Sequence, residues 1–291
     1  AFKRREDSAA AMSAIARDGI GAEVFGFDPN LQRVRLRRAS LAADVKSLAA
    51  VVKGSKTLLS GVREAARIAV AGRDFVDDAE YSVHVVCEGR SEAAVSADLD
   101  AARAHAARSG GREIENTIPK VVRAQPFTPL NNIVGPEGER WAPVHGIVPH
   151  SKAIVVWDAI ESLFESRRAD LEREGVTTGF LTTTLSTNAF LIEPVFYWPS
   201  ALDALHVATL EPQHRARLKG FDNKPSATAL VNDLRAAVAR LFLEHGAAHF
   251  QIGKTYLYRE GRKETAWCVV EALKAALDPA RRINPGALGL D

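Results

Sequence analysis

Two strand-like runs joined by a very short link constrain this chain most: Phe180–Leu185 and Ala189–Tyr197, separated by Ser186-Thr187-Asn188. Runs this close can pair only as an antiparallel hairpin, since a parallel pair needs a crossover of a dozen or more residues. The neighbouring segments are helical. Ala153, Val156, Trp157, Ile160, Leu163 and Phe164 recur at helical spacing within Ser151–Glu174, and Leu230, Leu234, Val238, Leu241 and Phe242 mark a second amphipathic helix. A last helix over Glu264–Leu277 stops at Asp278-Pro279, because proline disfavours helix at the residue before it.

The first half repeats this rhythm. A helix over Ser8–Asp18 is closed by Gly19 and Gly21, a strand follows over Ala22–Phe27, and Asp28-Pro29-Asn30 reads as a turn. Arg33-Val34-Arg35-Leu36-Arg37 alternates strictly and predicts a strand with its arginines on one solvated edge face. Ala-rich helices are expected over Ser40–Val52 and Gly61–Ala71, a β-branched strand over Tyr81–Cys87, and a helix from Ser91 to the Gly110-Gly111 stop. The fold class implied is α+β: a large antiparallel sheet covered by helices, in two pseudo-repeated ferredoxin-like halves. Between the halves, Thr117–His150 carries Pro119, Pro126, Pro129, Pro136, Pro143 and Pro149 and reads as mostly irregular, a length of connection that is often functional.

Composition excludes some classes. At 291 residues and 46% apolar content the chain can bury a sizeable core without cross-links, and its net charge of +2 creates no field that demands nucleic acid. Aromatic residues do not interleave with the Arg33–Arg38 cluster, which weakens nucleic acid further. No apolar run is long enough to span a bilayer. Two cysteines, Cys87 and Cys268, fit a reduced, cytoplasmic protein and cannot make a metal site alone. Ala1 opens the chain in place of Met, with no signal peptide, which points to a processed or excised polypeptide.

Three clusters hold residue types suited to chemistry. Ala247–Arg259 is the densest: a strand over His249–Ile252 would set His249 and Gln251 on one face, and a bulge at Gly253 would bring Lys254 to them. Histidine can move protons near neutral pH, and Tyr256 or Tyr258 can donate to a substrate oxygen. A half-exposed strand with a polar face explains the same pattern equally well. Gly253-Lys254-Thr255 resembles the end of a phosphate loop, but Ala248 stands where the first glycine would be needed. Arg140–His150, with Trp141 and His145, reads as a proline-pinned loop that lines a pocket or simply packs. Asn188 and Glu193 form the third cluster, and Glu193 beside Pro194 reads as a solvated sheet-edge position.

The stretch Val270–Gly286, with its helix, Asp278-Pro279 and Asn284-Pro285-Gly286, resembles the closing signature of FAD-linked oxidases. That family includes vanillyl-alcohol oxidase, p-cresol methylhydroxylase, and D-lactate and glycolate dehydrogenases. Arg140–Gly146, Phe190–Trp198 and Gly246–Tyr258 resemble, in the family's order, the loop before the cap helix, a cap strand and the strand and loop that approach the flavin. The resemblance implies a cap or substrate-binding domain over 1–260 and, over 261–291, a helix and tail returning toward a flavin domain not present in this chain. It implies FAD as cofactor, bound mainly by that other domain or subunit, and an alcohol, phenol or 2-hydroxy acid as small-molecule substrate. His249, Tyr256 and Tyr258 are then the catalytic candidates; His145, Asn188, Gln251 and Lys254 the substrate-binding ones; Asn284 approaches the cofactor. Ala248-His249-Phe250-Gln251 replaces the Gly-Glu-His-Gly of metal-dependent relatives, so no metal is implied. Self-association is allowed. A non-catalytic binding or assembly module derived from such a cap is the alternative.

Overall fold

The computed structural model describes residues 1–37, 80–114, 127, 130–249 and 251–290. The helices expected over Ser40–Val52 and Gly61–Ala71 fall outside the described residues, as does part of the proline-rich connection. In chain order the elements that matter are α1 (Arg5–Arg17), β1 (Glu23–Phe27), α2 (Pro29–Arg37), β2 (Ser82–Val86), α3 (Glu92–Arg108), β3 (Arg140–Pro143), β4 (Gly146–Pro149), α4 (Ala153–Ser166), α5 (Arg168–Glu174), β5 (Thr177–Leu185), β6 (Ala189–Trp198), α6 (Ala204–Thr209), α7 (Pro212–Arg215), α8 (Pro225–Glu244) and α9 (Glu264–Leu277).

Six strands form one antiparallel sheet in the order β2-β1-β5-β6-β3, with β4 also on β6. The expected hairpin is its centre: β5 and β6 pair from Thr177↔Tyr197 to Leu185↔Ala189 around a turn in which Ser186 takes a left-handed φ of 55°. Each half sets a pair of antiparallel strands between helices, with α2 falling between β1 and β2 in the first, and the halves meet where β1 pairs antiparallel with β5. The α+β class and the repeated halves are therefore both visible in the topology.

β6 explains why one sheet can carry two layers. Phe190, Ile192, Phe196 and Trp198 join the main core beneath α1, α4 and α8, while Val195 and Tyr197 face Leu31 of α2 on the other side. Alternate side chains of a strand take opposite faces, so its largely apolar run buries both. Glu193 lies in this run. The structure corrects its expected edge position: β6 is flanked by β5 on one side and by β3 and β4 on the other.

Residues 33–37, expected as a basic strand, belong to helix α2. The reason lies at Asp28. Its Oδ1 accepts the backbone N–H of Leu31 (2.8 Å) and also that of Phe180 (2.9 Å), so the carboxylate caps α2 and ties it to β5. With Pro29 as the first helical residue, Asp28-Pro29 starts a helix and is not a free turn. Burial raises the Asp28 carboxyl to about 6, against the pull of these amide donors.

Two further expectations change. Ser151–Glu174 is two helices, α4 and α5, parted at Arg167, and Gly175 (φ 68°) closes α5 with the Val176 N–H on the Leu171 carbonyl. The stretch Arg140–His150 is mostly not a loop, because β3 and β4 both pair with β6 and leave Val144 and His145 between them. Pro143 and Pro149 end these short flanking strands, where a missing N–H costs nothing.

Candidate functional site

The Val144-His145 joint is fixed from below. A Cβ on Gly146 would lie 2.3 Å from the ring of Phe242, so only glycine lets β4 approach α8 this closely. β4 also bridges to the residue before His249: Ile147 and Ala248 exchange both backbone hydrogen bonds, at 2.7 and 2.9 Å. That bridge is all that forms of the strand expected over His249–Ile252. Gln251 to Gly253 have no regular structure, and Gln251 and Lys254 are exposed.

The chain then turns back, and Tyr256 enters the core at 8% exposure. Its hydroxyl accepts the backbone N–H of His145 (3.1 Å) and lies 2.7 Å from His145 Nδ1. A phenol that already accepts one hydrogen bond gives its single proton to the second partner, so Tyr256 donates to Nδ1 and His145 carries its proton on Nε2. His249 stacks on the Tyr256 ring, with centroids 4.4 Å apart and planes 27° from parallel. The structure thus brings together three predicted residues, His145, Tyr256 and His249, from segments 111 positions apart in sequence.

The cluster is electrically neutral at neutral pH. Burial lowers His145 to about 4, and burial with the nearby Arg262 charge also lowers His249. Burial raises Tyr256 to about 12, with Glu193 pushing the same way and Arg235 opposing. The site can therefore offer neutral imidazole as a proton acceptor beside a phenol that stays protonated. Of the two charges that shape this field, Glu193 is one the sequence singles out as a sheet-edge position, whereas Arg235 escapes the sequence reading. Arg235 sits beside Leu234 within the apolar pattern of α8, and only its position at the margin of the buried face distinguishes it.

The remaining candidates lie elsewhere. Tyr258 is half-buried, with the Arg262 guanidinium 4.9 Å from its ring centre. Asn188 is exposed at the tip of the β5–β6 hairpin, five residues along β6 from Glu193. Asn284 is exposed with φ 46°, and its carbonyl accepts the Ala287 N–H. The closing segment as a whole does reach the site loop, through the Leu288 N–H on the Gly253 carbonyl (2.9 Å). Asp278 makes that return turn: it accepts the Arg282 and Ile283 N–H groups (2.9 Å each) and pairs with Lys274, whose ammonium holds the carboxyl down at about 2.

Tyr256→Phe is expected to lower unfolding free energy by about 1–3 kcal/mol, because a buried N–H and a ring nitrogen lose their partner at once. Urea unfolding at constant slope measures it. No change in midpoint would mean that the hydroxyl contributes nothing.

No family model matches the chain, and no curated protein matches its sequence. Solved structures do. Alkyldihydroxyacetonephosphate synthase in one crystal form aligns over 98% of this chain and 43% of its own, at 10% identity and a TM-score of 0.52. A second form gives 12% identity and 0.49 over 98% and 42%. The 4-ethylphenol oxidase from Gulosibacter chungangensis, an isoeugenol complex, gives 9% and 0.44 over 99% and 52%. The chain thus spans less than half the length of the first of these. Identity this low speaks to fold alone, and the two weaker scores carry no argument. The chain shares the fold of one part of alkyldihydroxyacetonephosphate synthase, an FAD-linked oxidase family protein.

Proposed function

We propose that this chain is the substrate-binding half of an FAD-dependent oxidoreductase that oxidises an alcohol, a phenol or a 2-hydroxy acid, with FAD held mainly by a separate domain or subunit. The observation that carries the reading is the fold match, which takes in 98% of this chain but only 43% of a protein of the FAD-linked oxidase family. A second feature agrees with it. Helix α9 buries Trp267 but exposes Val269, Leu273 and Leu277, and Ile283 continues this apolar surface toward the tail that touches the site loop. Residues 261–291 would dock there on the flavin domain, and 1–260 would enclose the substrate.

Bound FAD would take the two electrons; the residues here position and exclude. His249, neutral at neutral pH, would accept the substrate hydroxyl proton. Tyr256 would hold His145 in its Nε2–H form, so that His145 presents a donor and not a competing base. Tyr258, Gln251 and Lys254, on the same loop, would orient the substrate, and Asn284 would approach the cofactor. Asn188, at the hairpin tip, would contact substrate only through an element beyond these residues. No helix among the described residues is long and apolar enough to cross a membrane. Both cysteines are free thiols, which fits a cytoplasmic setting.

Reconstitution tests the reading. Mixed with a separately expressed FAD-binding domain, the chain is expected to restore substrate-dependent bleaching of the flavin, and His249→Ala is expected to slow it by roughly 10²–10⁴-fold. A stable complex in which no alcohol, phenol or 2-hydroxy acid reduces the flavin would assign assembly in place of catalysis.

A further inference from the structure

Arg235 lies in an inward row of α8, one turn after Val231 and one turn before Ala239, both of them buried. The row ends at Phe242, whose ring packs against Gly146, the neighbour of His145. Among the described residues, Tyr256 is the only ionisable group whose charge acts on Arg235. The guanidinium therefore belongs to the Tyr256 cluster, yet nothing there compensates it. Its Nε is shut off from solvent without a hydrogen-bond partner, and no carboxylate of the described residues pairs with it. Tyr256 brings no negative charge, since burial raises its phenol to about 12.

An arginine at a helix margin can escape this position by stretching its head into water. Here the side chain is enclosed up to Nε, and burial pulls the group below its ordinary range. A guanidinium does not give up its proton, and a charge enclosed without a partner is strongly destabilising until an anion meets it. The terminal nitrogens are the donors left to make that pair. They form a planar fork that suits two oxygens and balances one negative charge, which is the form of a carboxylate. The second charge of a phosphate would stand uncompensated near Glu193, whose own charge already acts on Tyr256.

We infer that Arg235 is the anion subsite of the Tyr256 cluster and that it takes a carboxylate carried by the substrate. The inference rests on the proposed oxidoreductase reading and narrows its substrate to a hydroxy acid. The carboxylate meets Arg235 and the hydroxyl meets His249, both neighbours of Tyr256. Uncharged alcohols and phenols leave the guanidinium unpaired and are discriminated against for that reason. Arg235 binds and orients; it takes no part in the electron transfer.

Ligands with the same ring and different heads test it by titration calorimetry on the purified 291-residue chain. They are mandelate, its uncharged counterpart 1-phenyl-1,2-ethanediol, and phenyl phosphate. Mandelate is expected to bind roughly tenfold tighter than the diol, or more, and tighter than phenyl phosphate. Arg235→Met keeps the length and packing of the stem, and is expected to erase this preference while leaving the diol unchanged. Arg235→Lys, a point charge without the fork, is expected to keep only part of it. An arginine with a purely structural role would move both ligands together. Without ligand, the urea midpoint of Arg235→Met is expected to match or exceed that of the wild type, because no partner is lost. Equal affinity for mandelate and the diol, no binding of mandelate, a preference that survives Arg235→Met, or a lowered midpoint would each overturn the inference. Tighter binding of phenyl phosphate would overturn the carboxylate and assign phosphate to the subsite. No flavin enters these titrations, so their failure is separate from that of the oxidoreductase reading. A chain without preference leaves an alcohol or a phenol as substrate, whereas a preference without flavin bleaching on reconstitution leaves an anion-binding module.

Discussion

Trp157→Ala is expected to lower the free energy of unfolding by about 3–5 kcal/mol, the range for deleting a large buried aromatic side chain. Trp157 is 1% exposed and joins three parts of the molecule. From α4 its ring meets Phe180 of β5, with centroids 5.3 Å apart, and Tyr81 edge-on at 5.9 Å. Phe164, two turns on, meets both Phe180 and Phe196. Removing the indole leaves a cavity among rings that cannot all move inward, since Phe180 and Phe196 are held by strands of the sheet and Phe164 by α4. A typical domain has only about 5–15 kcal/mol in hand, so the loss would be a large share of the total stability. Trp157→Phe keeps most of the volume and is expected to cost much less. Chemical denaturation measures both, and a loss below about 1 kcal/mol for the alanine variant would contradict this account of the core.

The second large effect is acid sensitivity between pH 6.5 and 4. His84 is 4% exposed, stacks on Phe25 at 5.1 Å, and places Nε2 3.0 Å from Ser82 Oγ. Burial lowers it to about 4, as it does His145. Histidines in the unfolded chain take up protons below about 6.5, whereas these two resist until about 4. The unfolded state therefore binds more protons across that window, and stability is lost as pH falls, by about 1.4 kcal/mol per pH unit for each histidine. Asp28 works the other way. Its carboxyl is raised to about 6, so the folded state gains a proton first and stability rises as pH falls from about 6 to 4. Two histidines against one carboxyl leave a net loss on acidification. Denaturant midpoints at a series of pH values should show it, and His84→Phe should remove about one histidine's share. Midpoints that stay flat over this range, or a slope unchanged in the variant, would contradict the assignment.

What the sequence revealed followed the range of the interactions concerned. The β5–β6 hairpin and α9 were legible because their signals are local: two runs and a turn, or an apolar period ended by Asp278-Pro279. Helix α2 was misread because its alternating arginines mimic a strand, while the deciding contact, from the Phe180 N–H to Asp28, spans 152 residues. β3 and β4 were missed because proline-rich segments of four residues have no period to detect. At the site, the sequence names His145 in one cluster and His249 and Tyr256 in another, and the fold sets the three side by side. The link between Tyr256 and His145 is tertiary, and so is the field of Arg235 and Glu193, which no spacing reports. Gln251 and Lys254 did not join His249 on one face, because the strand that would have aligned them ends at Ala248.

The central claim is that these residues enclose a substrate while the redox centre is held elsewhere. The visible absorption spectrum of the purified chain tests it most directly. The account predicts a colourless protein that stays colourless after incubation with FAD and gel filtration, and turns yellow only when co-purified with a flavin domain. Stoichiometric flavin absorbance retained by this chain alone would contradict it.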